Sequence, residues 1–168
     1  MLPDDEVHGL VWSSLTPRGR TLLASTHATG LRLSEGCALK LSDIESAPER
    51  MCIKVCQGKG AQDRYTLLSV RLLVMLRRYW CDRRPRTWLF TNHSGNAPIG
   101  VNTVQRIYCA ARDAAGIARE GGIHGLRPAF ATHLIEAGVD LPTVQRLLRH
   151  GHISTTTPYA HPARARLT

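Results

Sequence analysis

Several side chains in this 168-residue sequence are of the types that bind phosphate esters and act on them. The last third carries His124-Gly-Leu-Arg127, then Leu147-Leu148-Arg149-His150, then Tyr159. Upstream stand Ala28-Thr29-Gly30-Leu31-Arg32-Leu33-Ser34-Glu35, and Lys59 within the run QGKGAQD. A guanidinium offers a planar fork of donors that matches phosphate oxygens, so arginine suits that anion better than lysine does. Taken singly, each residue also has an ordinary structural use. Arg32 or Arg127 can sit in a surface ion pair, and GKG can be a plain flexible turn. His124 can cap a helix, His150 can complement a helix C-terminus, and Tyr159 can be an amphipathic aromatic. The set, taken in order, is what carries weight.

The bulk composition agrees with an anionic partner. The formal net charge is +9, from 22 Lys+Arg against 13 Asp+Glu, and 19 of the 22 are Arg. An Arg-heavy excess points towards nucleic acid. The length suits one domain with a core that needs no disulfide or metal staple. Apolar runs are too short to span a bilayer. The start, MLPDDEVHGL, lacks a basic segment followed by an apolar one, so no signal peptide is expected and the reading is cytoplasmic. Five widely spaced cysteines, Cys37, Cys52, Cys56, Cys81 and Cys109, fit reduced thiols. Cys52 and Cys56 fall on one face of a strand-like run and are expected to be small core residues. His150, His152 and His161, with His133 nearby, have no cysteine at finger-like spacing and no paired carboxylate, so no metal site is expected.

The elements that must position these groups read as mostly α with a small antiparallel β-sheet, an α+β domain. Thr16 and Pro17 read as an N-cap and first helical residue, and Gly30 as the stop. A short helix starts at Ser34, with Glu35 in its first turn. Residues 50–55 and 64–68 read as two strands joined across the turn that holds Lys59. Residues 69–83 and 101–115 read as helices, the second from Val101, Val104, Ile107, Tyr108, Ala111 and Ala115 at helical spacing. A helix over 128–137 is stopped by Gly138. Asp140 caps the next, which has Pro142 in its first turn and Leu148 near its end. A short helix or turn is expected over 154–159, with a polar tail after it. Residues 128–149 also have the outline of a helix-turn-helix.

In this order and spacing the segments resemble the tyrosine recombinase (phage integrase) family over roughly residues 10–161. The most specific stretch is HGLRPAFATHLIEAGVDLPTVQRLLRHGHISTTTPYAH. It resembles the family's His-x-x-Arg box, Leu-Leu-Gly-His box and tyrosine segment. The resemblance implies that Arg32 and Arg127 are the active-site arginines and that Lys59 is the hairpin lysine. His124 and His150 are then the two histidines, Tyr159 the nucleophile, and Glu35 a supporting acid. It implies a reaction on double-stranded DNA without metal or nucleotide cofactor. Strands would be cut and rejoined through a 3′-phosphotyrosyl link, by copies that self-associate as a dimer or tetramer on DNA. The chemistry is sensible: two guanidiniums offset charge in a pentacoordinate transition state. A phenol with a pKa near 10 needs a proton acceptor or the pull of bound phosphate.

The sequence also departs from the family pattern. About fifteen residues precede the first expected helix, so an N-terminal core-binding domain is expected to be absent from 1–168. Arg149 stands where a glycine is usual; a large charged side chain there either shifts His150 or adds a DNA phosphate contact. Pro128 follows Arg127, where its place in a first turn is harmless. Pro158 precedes Tyr159 and biases Thr157 away from helix. Nine residues follow Tyr159, a short tail for docking on a neighbouring copy. Two other readings stay open: a non-catalytic DNA-binding remnant of an integrase, and a type IB topoisomerase-like activity.

Overall fold

The computed structural model describes residues 2–56 and 63–148. Seven α-helices and three strands are found among them. In chain order they are α1 (Asp4–Trp12), α2 (Pro17–Thr29), α3 (Leu33–Cys37), β1 (Ile44–Glu45), β2 (Cys52–Val55) and β3 (Arg64–Leu67). Then come α4 (Val70–Arg83), α5 (Val101–Ala114), α6 (Leu126–Glu136) and α7 (Leu141–Leu148). Short 3₁₀ turns cover Leu41–Asp43 and Ile123–Gly125.

Local chemistry accounts for the helix ends. The Thr16 hydroxyl accepts the Gly19 N–H at 3.1 Å, with Pro17 in the first turn. Gly30 ends α2 in the left-handed region, at φ 63°. Ser69 starts α4 by accepting the Leu72 N–H at 3.1 Å. Asp140 starts α7 by accepting the Thr143 N–H at 3.0 Å and its hydroxyl at 2.7 Å. The helices α4 and α5 each bury one stripe. In α4 it is Leu72, Leu73, Leu76 and Tyr79; in α5 it is Val104, Tyr108 and Ala111.

Three expectations are corrected. The first helix starts at Asp4: Val7, Leu10 and Val11 form a buried face on α1, and Asp4, Asp5 and Glu6 favour its N-terminus. The helix expected from 128 begins at Leu126, which puts Arg127 inside its first turn. Cys56 is exposed, with its thiol 3.7 Å from Asp43 Oδ1, and Cys52 is only half-buried. The register explains the cysteines: Ile53 and Val55 point inward, so residues of the other parity point out. The segment 154–159 lies outside the described residues.

The sheet is antiparallel in the order β1-β2-β3. Ile53 pairs with Thr66 and Val55 with Arg64. The inward face of β3 is therefore polar at Arg64 and Thr66, both fully buried. Thr66 donates its hydroxyl to the Thr29 carbonyl at 2.7 Å, which fixes the sheet to the end of α2. Leu10, Leu22, Leu23, Leu31, Ile53, Val104 and Leu126 make one continuous core beneath α1, α2, α5, α6 and the sheet. No helix among the described residues is long and apolar enough to cross a membrane.

Candidate functional site

The end of α2 sets the site. Gly30 turns the chain so that Leu31 enters the core at 1% exposure while Arg32 faces solvent. A side chain at position 30 would be strained at this φ and would also collide with a neighbour. Its Cβ would lie 2.5 Å from Phe130 Cδ1. Glycine thus lets α6 approach the turn closely, and α6 carries Arg127.

Glu35, in the first turn of α3, is the hub. Its carboxylate accepts the Arg32 backbone N–H at 2.7 Å and an Arg32 guanidinium N–H at 3.0 Å. Arg64 reaches it from β3 with two parallel bonds of 2.6 and 2.8 Å. That fork-on-carboxylate geometry is the strongest form of the pair. The Glu35 side chain is 8% exposed and that of Arg64 is 0% exposed. Burial alone would raise the Glu35 pKa. The hydrogen bonds and charge of Arg64, with the backbone and side-chain hydrogen bonds from Arg32, overcome this and lower it from 4.5 to about 2.

Arg127 closes the centre from the other side. Its two terminal nitrogens donate to the carbonyls of Gly30 and Leu148. Arg64 Nε donates to the Leu147 carbonyl at 3.4 Å. Two guanidiniums thus meet the C-terminal carbonyls of α7, where the helix dipole favours cations. Burial lowers the Arg127 pKa, and the charges of Arg64 and Arg32 lower it further, while Glu35 opposes them. Three guanidiniums around one carboxylate leave the centre net positive. An anion placed there relieves the repulsion.

Of the residues expected from the sequence, Arg32, Glu35 and Arg127 are brought to this centre. His124 stands exposed on the 3₁₀ turn leading into α6, three residues before Arg127. Lys59, Arg149, His150 and Tyr159 lie outside the described residues. Leu148, whose carbonyl rests on Arg127, is two residues before His150 in the chain. Arg64 is the member that sequence reading missed. Its one signal is a charged residue at an inward position of an alternating strand, where burial demands a partner.

Comparison with known proteins bears on this arrangement. Residues 3–166 match the model of the phage integrase family. The y4qK protein of Sinorhizobium fredii is 41% identical over 159 residues, covering 95% of this chain and 51% of that protein. The crystal structure of the XerA recombinase superposes with a TM-score of 0.79 at 28% identity, over 95% of this chain and 59% of that one. The XerH site-specific recombinase, in a post-cleavage complex with palindromic difH substrate, gives 0.76 at 26% identity, over 90% of this chain and 46% of that one. The chain spans about half the length of curated relatives such as y4qK. Its helices and three-stranded sheet are those of tyrosine recombinase catalytic domains, and with the match over nearly its whole length the chain belongs to the phage integrase family.

Proposed function

We propose that this chain is the catalytic domain of a site-specific DNA recombinase. The observation that supports it most is the cationic centre built from Arg32, Arg127 and the Arg64–Glu35 pair at the end of α7. Arg32 keeps 45% of its side chain exposed, so its free donors are available to a phosphate oxygen. A guanidinium has five N–H donors, and the carbonyls of Gly30 and Leu148 occupy only two of those on Arg127. Both arginines can therefore hold one phosphodiester without leaving their structural partners.

In this reading the Tyr159 oxygen attacks phosphorus as its proton passes to a base, and His124 is assigned that role. The bond to the 5′ oxygen breaks, and Lys59 protonates the departing alkoxide. His150 donates to a non-bridging oxygen, and Arg149 adds a contact to the DNA backbone. The enzyme is left joined to the 3′ phosphate. Attack by another strand's 5′ hydroxyl reverses the step with no external energy source. The partner is double-stranded DNA. Exchange between two duplexes needs several nucleophiles and each copy supplies one Tyr159, so copies must associate on DNA as a dimer or tetramer. The reaction belongs in the cytoplasm, where DNA is accessible.

A suicide DNA substrate tests the proposal. Wild-type protein should form a covalent adduct, and Tyr159→Phe should form none. Binding without an adduct in either protein would show a DNA-binding remnant instead. Relaxation of supercoils without strand exchange would show topoisomerase-like activity.

A further inference from the structure

Apart from the arginine centre, three other side chains converge where α1, α2 and α6 meet. They are Asp4 of α1, His27 of α2 and His133 of α6, and their ligand atoms all lie within 4.8 Å of one another. We propose that Asp4, His27 and His133 form a site for a zinc-like divalent transition metal that clamps α1 onto α2 and α6. This lies beyond the recombinase reading and does not depend on it.

The distances fit the ion. Ligand atoms about 2.0–2.1 Å from a tetrahedral zinc lie about 3.3–3.4 Å apart. His133 Nδ1 lies 3.3 Å from His27 Nε2 and 3.4 Å from Asp4 Oδ1. Hydrogen bonding alone serves this arrangement poorly. His133 Nδ1 carries at most one hydrogen, yet it faces both an acceptor carboxylate and a second imidazole. The Leu126 backbone interacts with the His27 ring, and a proton held on Nδ1 would leave the Nε2 lone pair facing His133. A cation at the centre takes lone pairs from all three groups at once.

The ligand set suits zinc: two imidazole nitrogens and one carboxylate oxygen are borderline donors. The Asp4 side chain is 86% exposed, so a fourth position opens to water. The Asp4 side chain is also the one free to rotate inward and tighten the remaining edge. The expected effect is on architecture. His27 lies three residues before Gly30, and its carbonyl accepts the Gly30 N–H at 3.3 Å. His133 shares α6 with Arg127. The ion therefore ties α2 to α6, the helix that carries Arg127, and holds α1 against both.

The test uses the full chain, first stripped with a chelator. Zinc titration should show one saturable site and a rise in melting temperature. Cobalt(II) should give visible bands of a four- or five-coordinate ion. Asp4→Asn and His133→Gln should each weaken zinc by at least about tenfold, the scale at which even outer-shell changes act. Asp4→Asn, at an exposed position, should melt like the metal-free wild type. Cys56→Ser and Cys81→Ser should bind as wild type does. The proposal is overturned if wild type shows no saturable site. It is also overturned if Asp4→Asn and His133→Gln bind as wild type, or if the cysteine variants lose the metal instead.

Discussion

Arg32 and Arg64 hold the same carboxylate, and their surroundings give them opposite jobs. Arg64 is wholly buried, and its nitrogens are engaged with Glu35 and the Leu147 carbonyl. Arg32 bonds Glu35 through one guanidinium nitrogen and keeps nearly half its side chain in water. The inner pair is a closed ion pair and the outer arginine is open. The difference teaches that Glu35 is not simply cancelled by Arg32. Because Arg64 already neutralises the carboxylate, Arg32 and Arg127 keep their charge for an anion from outside.

The sharpest way to break this contrast is to remove the inner partner. Arg64→Leu leaves Glu35 buried beside α7 without its fork, and should cost about 3–5 kcal/mol in a denaturant melt. A loss no larger than that of Arg32→Ala would show that the two arginines are equivalent. Gly30→Ala comes next. A left-handed residue with a Cβ costs about 1–2 kcal/mol, and collision with Phe130 adds to this. Its melting temperature should fall, and phosphate affinity should fall with it, since the Gly30 carbonyl anchors Arg127.

Acid probes the same hub without mutation. The Glu35 pKa is depressed from 4.5 to about 2 on folding, so the unfolded chain binds the proton more readily. The stabilisation is complete above about 4.5 and is lost as pH falls towards about 2. Glu35→Gln should flatten the pH dependence of melting in that window, and an unchanged slope would count against the ion pair. The smallest stability change belongs to Arg32→Ala, below about 1 kcal/mol for an exposed bridge. That variant should instead lose DNA cleavage and lower the salt slope of DNA binding by about one unit. A variant that melts like wild type and still cleaves would end the proposed role of Arg32.

Much of this was legible in the sequence, for physical reasons. Arg32 and Glu35 follow Gly30, whose type marks the end of α2, whereas Arg127 lies inside α6, one position before the start expected at 128. Arg64 was hidden because strand alternation predicts which face a residue takes and not which carboxylate waits there. The spacing of Val7, Leu10 and Val11 is helical, but no N-cap side chain marks where α1 starts. β1 is two residues long, too short for any period to show. Asp4, His27 and His133 are separated by 23 and 106 positions, and only the packing of three helices brings them together.

The carbonyls held by Arg127 have one more consequence. They close two different helices, α2 at Gly30 and α7 at Leu148, so a single cation bridges early and late parts of the chain. With α7 peeled away, Arg127 would keep its bond to the Gly30 carbonyl and lose the one to Leu148. Under the proposed function it should then hold a DNA phosphate more loosely. On the recombinase reading, a full hold on phosphate therefore waits until α7 has packed against α6.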